Sequence, residues 1–295
     1  MQKFKTTLLI VLLLLGLAVN RAQAQDSSGL NVRVEGKGAP MVMIPGLTCS
    51  GHVWDSTIAA MGDGYEYHIL TLPGFASQAP IADHEGRYLE KMKELVLDYI
   101  KEAGLEKPVI VGHSLGGFLA LNIAIDSPDL PAKLVIVDSL PFLPAIQMPG
   151  ATVESFKPMA ENMRNMMRNS SGQSREARIN QQRMMLKTMI ADEENIDIAL
   201  EWGLQSDAET VAQAMYELYT LDIREDLAKI KVPTLVMGAY IAYQQYGVTR
   251  ASTMKNYTDQ YAQLDGVIVD LTDKGNHFIM WDDPEFMQSW LKKFL

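Results

Sequence analysis

Apolar residues follow two rhythms along this chain. Seven short, nearly unbroken apolar runs, at residues 30–34, 41–44, 67–72, 109–111, 134–137, 234–237 and 267–271, read as strands. Runs of this kind belong to strands covered on both faces, so the sheet they predict is mostly parallel. Between them the apolar spacing lengthens to three or four. Leu89, Met92, Val96 and Ile100 within 88–101, and Phe286, Trp290 and Leu291 within 285–294, predict helices that cover the sheet. The fold class is therefore α/β, a mostly parallel twisted sheet flanked by helices.

One stretch breaks the alternation. Residues 140–221 lie between the strand candidates 134–137 and 234–237 and are far too long for an ordinary crossover. They predict a helical cap inserted into a core built from 25–139 and 222–295, with no repeat and no linker-like segment elsewhere. Met148, Met159, Met163, Met166, Met167, Met184, Met185, Met189 and Met215 all lie in it, half of the chain's 18 methionines. Flexible thioethers suit an adaptable apolar pocket, and they equally suit the packing of cap helices on one another; the sequence leaves both readings open.

The beginning of the chain is of another kind. Lys3 and Lys5, the apolar run 8–19 and Ala22-Gln23-Ala24 follow the order of a secretory signal peptide over residues 1–24. The run is shorter than the roughly 20 residues of a membrane span, and no cysteine stands at the cleavage point to carry a lipid. The expectation is export, to a bacterial periplasm, without a stable membrane anchor after cleavage. The 271 residues from Gln25 onward suffice for a sizeable core. Loss of Lys3, Lys5 and Arg21 takes the net charge from −10 to −13, which argues against nucleic acid and anionic lipid as partners. Cys49 is the single cysteine, so no disulfide forms within the chain, and a small buried thiol is a better reading of it than a second nucleophile.

The candidate chemistry begins at Gly112-His113-Ser114-Leu115-Gly116. It follows the run at 108–111 and opens a helix-like stretch at 118–124. In a strand-turn-helix setting, G-x-S-x-G holds a serine on a strained bend with its hydroxyl exposed, and the spacing fits neither phosphate-binding glycine pattern. A serine nucleophile needs a base and oxyanion donors. His277 follows the last strand candidate and precedes the final helix, where a serine-acid-histidine order puts the base. His113 belongs to the turn itself, His68 to a strand, and His52 and His84 come too early. The acid is less direct, because 232–258 contains neither Asp nor Glu. Asp138, at the carboxyl end of the strand candidate 134–137, takes that role, with Asp270, Asp273 and Asp282 as rivals. The oxyanion donors are the backbone N–H of Leu115 and that of Leu47 in the loop Ile44-Pro45-Gly46-Leu47.

With this turn, the order Ser114, Asp138, His277 and the inserted cap, the chain resembles the α/β-hydrolase superfamily over nearly all of its length. Gly275-Asn276-His277-Phe278 and Ile44-Pro45-Gly46-Leu47 are similar to its capped esterase and lipase-like branch, in which the position of Pro45 is more usually histidine. The resemblance implies a serine hydrolase acting on small apolar carboxylic esters through an acyl-enzyme, with neither metal nor organic cofactor. Hydrolysis of amide, lactone or carbon-carbon bonds by the same triad is the alternative, as is a binding protein that keeps the pocket without turnover.

Overall fold

The computed structural model describes residues 23–25, 29–82, 84, 86–146, 148, 150–169 and 172–295. Of the leader expected over 1–24, all but Gln23 and Ala24 lie outside the described residues. Among the described residues eight strands form one sheet: β1 (Gln23–Gln25), β2 (Asn31–Gly36), β3 (Gly38–Ile44), β4 (Gly64–Thr71), β5 (Val109–His113), β6 (Lys133–Val137), β7 (Thr234–Gly238) and β8 (Ile268–Leu271). Their order is β1-β2-β4-β3-β5-β6-β7-β8. β2 runs antiparallel to β1 and β4, and every other pair is parallel. All seven expected strands are present. β1 adds an edge strand that its residues, Gln-Ala-Gln, did not signal.

The strands alternate between two apolar layers. Val42, Ile44, Ile110, Leu134 and Ile136 face one layer, covered by α2 (Tyr88–Glu102), α3 (Leu115–Asp126) and α8 (Arg250–Gln260). Met41, Met43, Val109, Val111, Val135 and Val137 face the other, with Trp54, which precedes α1 (Asp55–Met61), and with α9 (Ile279–Asp282) and α10 (Pro284–Phe294). Burial on both faces is why β5 and β7 contain only apolar, small or uncharged residues, all of them buried.

Between β6 and β7 the chain adds α4 (Val153–Asn169), α5 (Arg175–Leu186), α6 (Glu193–Leu204) and α7 (Ala208–Thr220). α4 packs on α7 and α5 on α6. Phe156 stacks on Tyr219 at 5.4 Å, within a small core that includes Phe142 and Ala160 and takes in Met163 and Met215. Leu186, Ile190, Ile196 and Leu200 join the layer of Trp54 and α10 instead. The methionines divide. Met163, Met189 and Met215 pack inward, whereas Met148, Met159, Met166, Met184 and Met185 are exposed.

Candidate active site

The turn after β5 is built by what its glycines exclude. A Cβ on Gly112 would lie 2.2 Å from the Gly116 carbonyl oxygen, and one on Gly116 would lie 2.2 Å from the Ile44 oxygen and 2.6 Å from that of Pro45. Nothing larger than hydrogen fits at either position, so strand, helix and the 44–47 loop close on one another. Ser114, between them, is held at φ 53° and ψ −118°, outside the ordinary regions for a residue with a side chain. Its N–H donates to the Val137 carbonyl at 2.9 Å and its own carbonyl caps Phe118 at 3.0 Å. The side chain is left half-buried at the head of α3.

The bond from Ser114 to Val137 places the serine beside the end of β6, where Asp138 follows. Asp138 also has a left-handed backbone, φ 45°, and its N–H donates to Met237 at 2.7 Å. Its two carboxylate oxygens have separate partners. Oδ2 meets His277 Nδ1 at 2.6 Å, while Oδ1 accepts from Ala239 N–H at 2.8 Å and from the Tyr257 hydroxyl at 2.6 Å. The rival carboxylates are engaged elsewhere. Asp270 accepts from Arg250 and Trp290, Asp273 from Tyr240, and Asp282 from the N–H groups of Asn276 and Ala191. Asp282 thereby ties the histidine loop to the residues after α5, and burial raises its pKa above the ordinary value.

His277 is brought to this place by its neighbours. His113 Nε2–H donates to the His277 carbonyl at 3.1 Å, and the two rings lie 4.6 Å apart. The His113 ring is buried between Trp54, Phe278 and His277. Burial, and to a lesser degree His277, hold its pKa well below 6.5, so it is a neutral donor. Its Nδ1 is buried without a hydrogen-bond partner among the described residues and faces Gly46, where a Cβ would come within 2.9 Å of it and 3.3 Å of Ser114 Cβ. A side chain at 46 would push the loop off the serine.

Of the five residues singled out from the sequence, Asp138 and His277 are joined directly. Leu47 and Leu115 belong to segments in mutual contact, through Gly46 against Ser114 and Gly116 against Pro45. Leu115 N–H lies in the first turn of α3, where no carbonyl one turn back can accept it. Ser114 Oγ makes no hydrogen bond among the described residues, a contact that unliganded sites of this type often leave long. Cys49 is buried two residues beyond Leu47, its Sγ 3.4 Å from the Leu47 carbonyl, and burial pushes the thiol up to about 12. Three participants have no signal in the sequence: His113 as the link to the base, Ala239 N–H, and Tyr257, which lies 119 positions beyond Asp138.

The arrangement supplies a carboxylate-oriented imidazole on a loop that His113 ties to the strained serine turn. Comparison with known proteins places it. A model described as the alpha/beta hydrolase family matches residues 41–287, and the chain belongs to that family. Among curated relatives, the pimeloyl-[acyl-carrier protein] methyl ester esterase of Vibrio parahaemolyticus is 34% identical over 115 residues, 39% of this chain and 42% of that protein. The protein of the same name from Legionella pneumophila is 25% identical over 235 residues, 77% of this chain and 87% of that one. The first match thus spans about two fifths of its relative's length. Among solved structures, an esterase from Exiguobacterium antarcticum superposes with a TM-score of 0.73 at 17% identity, covering 92% of this chain and 97% of that one. An enol-lactonase from Burkholderia xenovorans gives 0.70 at 15% identity, covering 90% and 95%. At these identities the structural likeness concerns the fold.

Proposed function

We propose that the protein is an exported serine hydrolase that cleaves small carboxylic esters. Ser114 Oγ attacks the ester carbonyl carbon while His277 takes its proton. The N–H groups of Leu47 and Leu115 stabilise the oxyanion, and collapse of the tetrahedral intermediate expels the alcohol, protonated by His277. Water, activated by the same imidazole, then releases the acid and frees Ser114. Asp138 keeps Nδ1 protonated and the ring aimed, which leaves Nε2 for the serine.

The observation that carries this reading is the 2.6 Å contact of His277 Nδ1 with Asp138 Oδ2 beside the Ser114 turn. Ester cleavage, rather than another hydrolysis, is favoured by the relatives, which bear the name of methyl ester esterases. The leader-like residues 1–24 support export, and fractionation of cells producing the tagged full chain tests it. A periplasmic or culture-medium location is the expected result, and retention in the cytoplasm overturns it.

Turnover of p-nitrophenyl esters of increasing chain length, with Ser114→Ala alongside, tests the chemistry. Burst kinetics in the wild type and a loss of about three or more orders of magnitude in the variant are expected. Failure to cleave any ester while a fluorophosphonate still labels Ser114 would move the same nucleophile to amide or lactone bonds. Absence of labelling as well would make the chain a binding protein.

A further inference from the structure

The acid of this site stands at the end of β6, and the loop after β7 contains no carboxylate. Two hydrogen bonds from beyond β7 reach back to it. Ala239 N–H comes from the residue that follows β7, and the Tyr257 hydroxyl comes from the middle of α8. Tyr257 is 1% exposed, and its ring lies directly over the end of β7: a Cβ on Gly238 would sit 2.6 Å from Cζ and 2.8 Å from Cε1. Glycine at 238 is the condition for the ring to cross the strand and reach Asp138. One turn on, at the C-cap of α8, Tyr261 runs parallel to Tyr257, ring centroids 6.5 Å apart, and donates its hydroxyl to the Ser139 carbonyl at 2.8 Å. Asp138 and Ser139 are therefore gripped by successive turns of one helix, at a point where the Asp138 backbone is left-handed.

We propose that Tyr257 is a positioning residue for the acid: with Ala239 N–H it occupies Oδ1 of Asp138, fixes the carboxylate rotamer, and presents Oδ2 alone to His277. This rests on the triad assigned under the proposed function. A carboxylate with one oxygen free can swing between partners. Here both sites on Oδ1 are filled by fixed donors, so the second oxygen has a single direction, towards Nδ1. The phenol is a suitable donor because it is fully buried and stays protonated; burial, with the nearby Asp138 charge in second place, raises its pKa well above 10. Gly238 and the α8 helix are then parts of the catalytic scaffold, although neither touches substrate.

A tyrosine that merely fills the core beside a carboxylate would show the same contacts, and a double-mutant cycle separates the two. kcat and KM on one p-nitrophenyl ester are measured for the wild type, Tyr257→Phe, Asp138→Asn and the double variant, with thermal unfolding of each. The expected result for Tyr257→Phe is a kcat about tenfold lower at nearly unchanged KM, the scale on which second-layer orienting partners act. In the Asp138→Asn background the same replacement has no further effect, because its target is gone. An equal loss in both backgrounds, or an undiminished kcat in Tyr257→Phe, overturns the proposal. Full activity of Asp138→Asn would overturn the acid assignment instead, and fluorophosphonate labelling then reports whether Ser114 survives as nucleophile. If Tyr257→Phe does not fold, 3-fluorotyrosine placed at 257 retains the ring shape while making a stronger donor. The downfield proton resonance of His277 Nδ1–H is then expected to shift, and an unmoved resonance overturns the proposal.

Discussion

Single side chains near the turn differ sharply in what burial has done to them. Cys49 follows the 44–47 loop that packs on the serine turn, yet a thiol held near 12 has almost no thiolate at neutral pH and does not compete as nucleophile. Two outcomes are expected: no reaction of the folded protein with a disulfide reagent until denaturant is added, and wild-type kcat in Cys49→Ser. Rapid labelling of the native thiol, or a kcat reduced more than a few-fold in the variant, would contradict this account. Ser114 and Asp138 both adopt left-handed backbones, each worth about 1–3 kcal/mol of strain. Strain of this kind is tolerated because the Gly112, Gly116 and Gly46 contacts leave the chain no alternative path.

At the level of elements, the helices are secured to one another by side chains that cross between core and insertion. α2 has no cap from its own sequence, since the Arg87 side chain at its N-cap position does not accept from the first-turn N–H groups. Glu217 of α7 supplies the cap: its oxygens accept the N–H groups of Tyr88 at 2.7 Å and Leu89 at 2.8 Å, and Gln213 adds a third bond at 2.7 Å. Glu217 is buried, and that burial raises its pKa above 4.5. Glu217→Ala leaves two amides at a buried helix start unpaired, and a loss of about 2–3 kcal/mol is expected, read as a lower urea midpoint. KM is expected to change more than kcat, because α7 belongs to the insertion and not to the triad. A midpoint within error of the wild type would show that water replaces the cap without penalty.

For the whole molecule, the insertion is fastened on two sides. Asp207 N–H donates to the Gly74 carbonyl at 2.8 Å and Ala76 N–H to Ser206 Oγ at 3.0 Å, while Phe278 N–H donates to the Met189 carbonyl at 3.2 Å. The histidine loop is thus shared between the sheet and the insertion, and the stability of the one depends on the other. The buried, neutral His113 at this junction couples stability to pH. The unfolded chain takes up a proton below 6.5 that the folded chain refuses, so the stabilisation is present above that value and declines as pH falls through it. The slope expected from this one group is about 1.4 kcal/mol per pH unit below 6.5. Urea midpoints from pH 7.5 to 5 check it: His113→Gln flattens the profile, and an unchanged profile refutes the assignment.

The sequence by itself determined the elements and the candidate residues. Burial on both faces keeps the central strands β3, β5, β6 and β7 nearly continuously apolar, so they were legible, and the steric demand of the turn is written in Gly112 and Gly116. The order of Ser114, Asp138 and His277 along the chain brought them forward as candidates, and two of them, Asp138 and His277, are in contact. The edge strand β1 was not legible, since a short strand paired on one side needs no apolar run. Nor was the outward face of the methionines, because an amphipathic helix shows which residues share a side and not what covers it. Only the tertiary structure decided how Asp138 is held. Asp138, the adjacent pair Gly238 and Ala239, and Tyr257 come from separate parts of the chain, and none has a local preference that points to the others. They meet because the parallel order β6-β7-β8 sets the end of each strand beside the next, and α8 crosses them there.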